Sequence, residues 1–330
     1  MTNRERFVNI LNFKPTDRAP FIEPLNWWDK TIERWKGEGL DKSLNGREIN
    51  AYFGFDPFYY VWYTAGPRAK NRPLGHLGKT GGADDYERLR QTIFPWPVIN
   101  DALWTEIARL QKRGDGPVWL QIDGFFWLGR EVFGIERNLY ATYDEPDLVH
   151  RLYKDLLEWQ LKVLDAICVY AVPDICTVAE DMSYKSGSMI SKQTFDKFMA
   201  PYYAVLCKAL KKRGVLSFVD TDGNIHELAK WFGALGIDGF IPCERQAGVD
   251  IVSIRREFPR MLFLGGFDKM AMDLGEAQIR AEFDRLRPVL LQGGYIPGPD
   301  HQTPPAVSLT DYRLYLSLLR EFCEEAKSEV

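Results

Sequence analysis

Short runs of β-branched and aromatic residues alternate along the chain with longer amphipathic stretches. The short runs predict eight strands, at residues 19–24, 58–64, 117–123, 174–180, 216–222, 239–244, 262–268 and 294–301. Between them, apolar residues recur at intervals of three and four, which is typical of helices that bury one face. Strands that alternate with helices form parallel sheets, and eight such units predict an α/β fold of the (β/α)8 TIM-barrel type.

The N-terminal sequence MTNRERFVNILNFKP predicts an amphipathic helix that extends the barrel. This segment lacks the apolar stretch of a signal peptide, and no apolar run in the chain reaches the roughly 18 residues that span a membrane. A length of 330 residues suits one α/β barrel. We therefore expect a single barrel domain over residues 1–330, located in the cytoplasm and without a membrane partner.

Composition and charge are those of a globular protein. Hydrophobic residues make up 45% of the chain and charged residues 27%, which excludes a disordered or fibrous protein. The formal net charge is −4 and no basic run occurs, so nucleic acid is not expected as a partner. Five widely spaced cysteines without a CxxC pair predict reduced thiols rather than disulfides. A homodimer is left open.

Polar residues end most of the predicted strands. Barrel enzymes place their chemistry at the carboxyl ends of the strands, so these side chains should share one rim. They are Glu23, Asp123, Glu180, Asp181, Asp220, Asp222, Glu244, Asp268 and His301. Helix capping explains Asp268 but not Glu180 or Glu244, because glutamate is a poor N-cap residue. Carboxylates gathered around an imidazole repel one another unless a cation or a shared proton relieves them, and this favours a metal site.

His301 lies in the glycine- and proline-rich segment GGYIPGPDHQTPP, residues 293–305. Glycines permit a tight turn and prolines restrict the loop, which predicts a rigidly held imidazole that acts as a ligand or general acid. A structural histidine, bonded to a backbone carbonyl, is the alternative. Of the other histidines, His150 and His226 are expected at the surface, and His76 in the loop after the second predicted strand.

Two aromatic stretches, FYYVWYT and GFFWLG, predict a pocket. Consecutive aromatic residues cannot all face one side of a strand, so some should line the rim or an interface. Polar contacts to a substrate are expected from Tyr184, for which simple loop packing is the alternative. The residues predicted to bind substrate are Trp27, Trp28, Asp123, Phe126, Trp127 and Tyr184.

Several motifs together resemble the uroporphyrinogen decarboxylase family over nearly the whole chain. They are RERFVNILNFKPTDRAPF, AEDMSYKSGSMIS, FDKFMAPYY, TDGNI, PCERQAGVDI, LGGFDK and GGYIPGPDHQTPP. The resemblance implies a (β/α)8 barrel that either decarboxylates porphyrinogens or, in a separate branch, transfers methyl groups with zinc and corrinoid proteins. The decarboxylases carry an arginine-rich segment after the first strand, where this chain has IEPLNWWDK. We therefore place it closer to the methyltransferase-like branch.

The resemblance also implies a metal site. In the methyltransferase branch zinc is held by a His-x-Cys pair after the fifth strand and a cysteine after the eighth. Asp220, Asp222 and His301 stand at these places, and Glu244 joins them as a predicted ligand for zinc or another divalent metal. Carboxylate and imidazole ligands leave the metal able to polarise oxygen rather than activate a thiol. Glu180, with Glu244 and His301, completes the predicted catalytic set.

These expectations combine into a functional hypothesis. The chain moves a methyl group from a small O-methyl donor, such as a methoxylated aromatic, to the cob(I)alamin of a separate corrinoid protein. Three alternatives remain open: a uroporphyrinogen decarboxylase, a metal-dependent hydrolase or lyase, and a catalytically silent barrel that serves as a binding partner.

Overall fold

The computed structural model describes residues 1–65, 77 and 81–327. Its helices are α1 (Asn3–Leu11), α2 (Asp29–Gly37), α3 (Gly46–Phe53), α4 (Ala83–Ile93), α5 (Asp101–Arg113), α6 (Phe125–Phe133), α7 (Ile135–Asp144), α8 (Pro146–Cys168), α9 (Lys192–Thr194), α10 (Ala200–Lys212), α11 (His226–Gly233), α12 (Ile251–Glu257), α13 (Glu276–Gln292) and α14 (Leu309–Glu324). Its strands are β1 (Tyr59–Tyr63), β2 (Val118–Asp123), β3 (Ile175–Ala179), β4 (Ser183–Tyr184), β5 (Gly187–Ser188), β6 (Leu216–Asp220), β7 (Gly239–Ile241), β8 (Leu262–Phe267) and β9 (Tyr295–Pro299). His76 lies outside the described residues.

Seven strands form one parallel sheet in the order β1-β2-β3-β6-β7-β8-β9, and β4 pairs with β5 in a separate two-stranded hairpin. Most of these strands are followed by helices, and the sheet curls into an α/β barrel of the (β/α)8 type, as the sequence pattern predicts. Seven of the eight predicted strands are confirmed. Pairing of Tyr60 with Trp119 and of Trp62 with Gln121 places these four residues on the same face, toward the barrel interior.

The first predicted strand, residues 19–24, is wrong as a strand, although the segment occupies the expected place between β9 and β1. Trp27 forms an isolated parallel bridge with Thr303, and the Asp56 amide donates to the Phe21 carbonyl at 2.7 Å. Proline explains the missing ladder. The Asp300 amide donates to the Phe267 carbonyl of β8 at 2.7 Å, and the backbone groups of successive residues in a strand face opposite neighbours. The backbone nitrogens of Pro297 and Pro299 therefore face the 19–24 segment, and proline has no N–H to donate to it.

Helix ends follow local capping signals. Thr2 and Glu5 form a capping box at the start of α1, which confirms the predicted N-terminal helix. Asn100 caps α5 by accepting from the Leu103 amide at 3.0 Å, and the left-handed Gly114 ends it. The α1 helix covers the amino end of β9, because the Gly294 amide donates to the Ile10 carbonyl at 2.7 Å. No described helix combines the length and apolar character needed to cross a membrane.

Candidate active site

A cavity of about 820 Å³ lies inside the barrel and reaches the carboxyl ends of β3, β6 and β9. Aromatic side chains form much of its wall, and carboxyl groups gather on one side together with His301. The aromatic residues are Phe55, Phe58, Tyr59, Tyr60, Trp62, Trp119 and Trp127; the titratable residues at the rim are Asp181, Asp220, Asp222 and His301. The structure thus brings together three of the four predicted metal-site residues, one of the aromatic residues predicted to bind substrate, and four aromatic residues of the FYYVWYT stretch.

Asp220 is the last residue of β6 and faces this cavity. Its backbone carbonyl accepts from the Glu180 and Asp181 amides at 2.9 and 3.1 Å, which fixes its position. Its carboxyl group has no hydrogen-bond partner within the described residues. Burial raises the pKa of Asp220 to about 8, and the nearby charges of Asp222 and Asp181 raise it further than His301 lowers it. At neutral pH the group is therefore mostly a protonated acid.

Asp222 and His301 lie close together at the cavity mouth. The Nε2 atom of His301 lies 3.6 Å from an Asp222 carboxylate oxygen. Contact with Asp222 raises the pKa of His301, and burial opposes this effect. The backbone before His301 is held rigidly, because the fully buried Asp300 accepts from the Arg245 amide at 2.7 Å and the Lys269 amide at 3.0 Å. His301 is thus paired to a carboxylate rather than to a backbone carbonyl.

Glu244 is held by a lysine that the sequence analysis missed. The Nζ atom of Lys269 donates to Glu244 at 2.8 Å and to Gln246 at 2.7 Å, and it lies 3.4 Å from an Asp300 oxygen. Burial raises the pKa of Asp300 to about 6, although Lys269 opposes the rise. This network stands beside His301. The Glu244 carboxylate pairs with Lys269 and is not among the residues that line the cavity, and its role as a ligand or catalyst stays a prediction.

Glu180 caps a helix, contrary to the expectation that capping does not explain it. It follows β3 and caps α6, which follows the neighbouring strand β2. Its fully buried carboxylate accepts from the Phe125 and Phe126 amides, both at 2.8 Å, at the first turn of α6. The Tyr203 hydroxyl donates to the same group. Burial raises the pKa of Glu180 to about 7, while these hydrogen bonds lower it. A glutamate is a poor cap of its own helix, but its longer side chain can reach the helix that follows the neighbouring strand.

Five of the six residues predicted to bind substrate do not line the cavity. Trp27 is buried in an aromatic cluster with Trp35, 5.9 Å between ring centroids, and Phe126 is buried near the start of α6. Trp28 and Tyr184 are exposed, and neither lines the cavity. Asp123 is buried and accepts from the Trp62 indole at 3.1 Å and the Ala65 amide at 2.7 Å. Asp123 therefore orients an aromatic wall residue.

Trp127, the remaining predicted residue, does line the cavity. The Arg130 guanidinium lies 4.5 Å from the centroid of the Trp127 ring, and it pairs with the Asp181 carboxylate at 2.7 Å. Asp181 thus holds Arg130 in place, and Arg130 holds the indole plane of Trp127. Trp119, on β2, packs against Phe58 and Tyr60, with 5.6 and 5.8 Å between the ring centroids. These contacts give the cavity rigid aromatic walls.

Gln121 is a polar wall residue that the sequence analysis missed. It is 6% exposed, and its Oε1 atom accepts from the Thr177 hydroxyl at 2.9 Å, which leaves Nε2 as a donor without a partner in the described part of the chain. A signal was present in the sequence: Trp119 and Gln121 are two residues apart in the strand VWLQID, so both side chains point to the same face, toward the barrel interior.

A metal does not fit the described side chains as they stand. Within residues 1–65, 77 and 81–327, no three His, Cys, Asp or Glu side chains are grouped closely enough to hold one. Glu244 is engaged by Lys269, and His301 is paired with Asp222. The predicted ligand set is therefore not assembled, and zinc stays a prediction.

The sequence of residues 125–322 matches the model of the uroporphyrinogen decarboxylase (URO-D) family. The chain belongs to this family. A methyltransferase from Methanosarcina mazei has a similar structure. The match covers 98% of this chain and 99% of the methyltransferase chain, with a TM-score of 0.64 and 14% sequence identity. At this identity the similarity shows the fold alone.

Two less similar structures give no further information on the fold or the function of this chain. The pneumococcal exo-β-D-N-acetylglucosaminidase StrH matches 83% of this chain and 76% of its own, with a TM-score of 0.40 and 11% identity. The D-psicose 3-epimerase from Clostridium cellulolyticum H10 matches 92% of this chain and 94% of its own, with a TM-score of 0.30 and 12% identity. No curated protein sequence matches the chain significantly.

Proposed function

We propose that this URO-D family member is a methyltransferase that takes the methyl group of a small O-methyl donor, plausibly a methoxylated aromatic, and passes it to the cob(I)alamin of a separate corrinoid protein. The observation that carries the proposal is Asp220: a carboxyl group with a pKa of about 8, facing an aromatic cavity at the end of β6. The structural similarity to a methyltransferase agrees with it.

The chemistry requires an acid at the ether oxygen. The reduced corrinoid of the partner protein would supply the electron pair for the new bond to the methyl carbon, and the electrons of the broken carbon–oxygen bond would pass to the oxygen. An alkoxide or phenoxide is a poor leaving group, so a proton delivered as this bond breaks lowers the barrier. Asp220, protonated at pH 7, donates that proton and becomes a carboxylate. It regains a proton from solvent at the mouth, where Asp222 is half-exposed.

Binding follows from the cavity walls. Trp62, Trp119 and Trp127 offer flat surfaces for an aromatic ring, and Asp123 and Arg130 hold two of them in place. The Gln121 amide supplies a hydrogen-bond donor to an oxygen substituent. A rigid wall of this kind holds the ether oxygen near the Asp220 carboxyl group, so that binding of the donor also orients the reacting atoms.

Porphyrinogen decarboxylation is the second candidate and the cavity argues against it. Uroporphyrinogen carries many carboxylates, yet the described lining residues include no lysine or arginine and do include Asp56, Asp181, Asp220 and Asp222. A polyanion placed there would meet several carboxyl groups and, among the described lining residues, no lysine or arginine to hold it.

The corrinoid partner and zinc are both proposed from the family resemblance. If zinc binds, Asp222 and His301 would be among its donors, and the metal would supply a Lewis acid for an ether oxygen.

An assay with two substrate types tests the proposal. Purified protein is given uroporphyrinogen in one reaction and, with a reduced corrinoid protein, a panel of methoxylated arenes in another. We expect release of phenol and no release of carbon dioxide. Carbon dioxide release from uroporphyrinogen at an enzyme-like rate would establish the decarboxylase instead, and phenol release without the corrinoid would favour a hydrolase or lyase.

A further inference from the structure

We infer that Glu23 is a positioning residue, which holds the cavity wall at residues 24–26 in the shape that binds the methyl donor. The inference rests on the proposed function for the reaction that this wall serves, and it concerns a buried acid that the proposed chemistry does not use. Glu23 is one of the polar residues expected at the rim, but it is 1% exposed and is not among the residues that line the cavity.

The 24–26 wall lacks the support that a strand would give it. Residues 19–24 take the place of the first strand without its hydrogen-bond ladder, and the backbone is next tied to the barrel at Trp27, which bridges to the segment after β9. Pro24 packs against β9, where a Cβ atom on Gly298 would lie 3.0 Å from the proline ring. The wall between these points therefore depends on side chains for its shape.

Glu23 supplies this support through both carboxyl oxygens. Its Oε1 atom accepts from the Leu25 amide at 3.2 Å, and its Oε2 atom accepts from the Tyr312 hydroxyl at 2.9 Å. Leu25 and its neighbour Asn26 line the cavity, and Asn26 has a left-handed backbone, φ 62°. Glu23 thus ties the turn of the wall to α14, which carries Tyr312.

The surroundings of Glu23 favour its uncharged form. The carboxyl group lies close to the hydroxyls of Tyr312 and Tyr315, and Trp27 and Trp35 pack against Tyr312 with 6.1 and 4.5 Å between ring centroids. Burial raises the pKa of Glu23 to about 8, and its two hydrogen bonds oppose this rise. At pH 7 the residue is mostly a neutral acid, which glutamine matches in size and in hydrogen bonding.

Loss of the carboxyl group would release the Leu25 amide. A backbone N–H that loses its acceptor in a half-buried turn costs free energy, so the turn would shift until the amide reaches water or another acceptor. Because Leu25 and Asn26 form part of the cavity wall, this shift would weaken binding of the donor and leave the bond-breaking step nearly unchanged. The expected signature is a higher KM with nearly the same kcat.

Two variants of the full-length protein test the inference in methyl transfer to a reduced corrinoid protein at pH 7. Glu23→Leu removes both hydrogen bonds and should raise KM for the methoxyarene at least about tenfold, with kcat within about threefold. Glu23→Gln keeps a neutral hydrogen-bonding group, and its KM should stay within about threefold of the wild type. A wild-type KM in Glu23→Leu would overturn the inference, and so would a KM in Glu23→Gln as high as in Glu23→Leu.

Hydrogen exchange gives a readout that needs no substrate. In Glu23→Leu the Leu25 amide should exchange at least about tenfold faster than in the wild type, while amides elsewhere in the barrel keep their rates. Tyr312→Phe removes a single hydroxyl and should change the exchange of Leu25 less, in the same direction, which tests the same contact if Glu23→Leu does not fold. Faster exchange throughout the chain, without an excess at Leu25, would assign Glu23 to general stability and overturn the inference.

Gln111→Leu is the matched control. Gln111 is buried at the amino end of the barrel, where its side chain donates to the Val172 carbonyl at 2.7 Å and to Asp174 at 3.0 Å. This variant should lower the free energy of unfolding without changing KM or the exchange of the Leu25 amide. A rise in KM as large as in Glu23→Leu would show that KM follows stability rather than the wall, and would overturn the inference.

The inference and the proposed function fail in different ways. No methyl transfer from any donor, in a protein whose Leu25 amide depends on Glu23, would refute the proposed function and leave Glu23 as the residue that positions the wall. Methyl transfer with a KM unaffected by Glu23→Leu would refute the inference and leave the function intact.

Discussion

Replacement of Asp220 by asparagine tests whether this residue is the proton donor. Asparagine has nearly the same size and cannot release a proton, so the variant separates acid catalysis from packing. A pKa of about 8 means that about nine-tenths of the carboxyl groups are protonated at pH 7 and about one-tenth at pH 9. Loss of a general acid typically lowers the rate about 10²-fold or more.

The expected result therefore depends on pH. At pH 7 the variant should transfer methyl groups about 10²-fold more slowly than the wild type. At pH 9 the wild type has lost most of its acid, so the difference should shrink to about tenfold. The assay is single-turnover methyl transfer to a reduced corrinoid protein across this pH range. Equal rates at pH 7, or the same deficit at pH 7 and pH 9, would refute the role of Asp220 as the acid.

Stability should change in the opposite direction. The pKa of Asp220 is about 8 in the folded protein and 3.8 as the ordinary value, so the folded state keeps its proton to higher pH than the unfolded state. The wild type consequently loses up to about 1.4 kcal/mol of stability for each pH unit between these values. Asp220→Asn lacks this loss and should be increasingly more stable than the wild type from pH 4 to pH 8 in urea unfolding.

Four further predictions concern the surrounding network. Lys269→Met leaves the buried Asp300 without its cation and should lower the free energy of unfolding by about 3–5 kcal/mol, whereas the exposed Lys208→Met should not; equal stability would refute the network. Asp222→Asn should lower the pKa of His301 in an NMR titration, and an unchanged pKa would refute their coupling. Glu180→Gln weakens the cap on α6 and should lower the free energy of unfolding by about 1–3 kcal/mol, while the rate of methyl transfer stays within about threefold of the wild type. A larger loss of activity in a variant of wild-type stability would instead make Glu180 a catalytic residue. Elemental analysis tests the zinc predicted from the sequence: one metal per chain that is lost in the His301→Ala, Asp222→Ala double variant would establish the site, and full occupancy in that variant would move it elsewhere.

The periodic pattern predicts most of the fold because strand and helix periodicities are local properties. It fails at residues 19–24, where the apolar residues are buried as expected but the hydrogen-bond ladder is absent. Whether an apolar segment joins a sheet depends on donors of its neighbour, and Pro297 and Pro299 remove those donors about 270 residues away in the sequence.

The candidate site is predicted in part for a similar reason. Asp220 ends a strand, and Asp222 and His301 follow strand ends by two residues, so the positions of all three follow from the barrel. The role of Glu180 depends on the first turn of α6, which follows a different strand, and that of Glu244 depends on Lys269. Trp27 and Trp127 both look like pocket residues in the sequence, yet only the packing of neighbouring helices places one in the core and the other in the cavity wall.

The central claim, methyl transfer from an ether to a corrinoid, is tested most directly with an isotopically labelled donor. An uncharged methoxyarene with a trideuteromethyl group and ¹⁸O in the ether is incubated with the protein and a reduced corrinoid protein for a single turnover. Mass spectrometry should find the trideuteromethyl group on the corrinoid and an equimolar amount of phenol that retains ¹⁸O. Labelled methanol, or phenol formed equally well without the corrinoid protein, would contradict the claim.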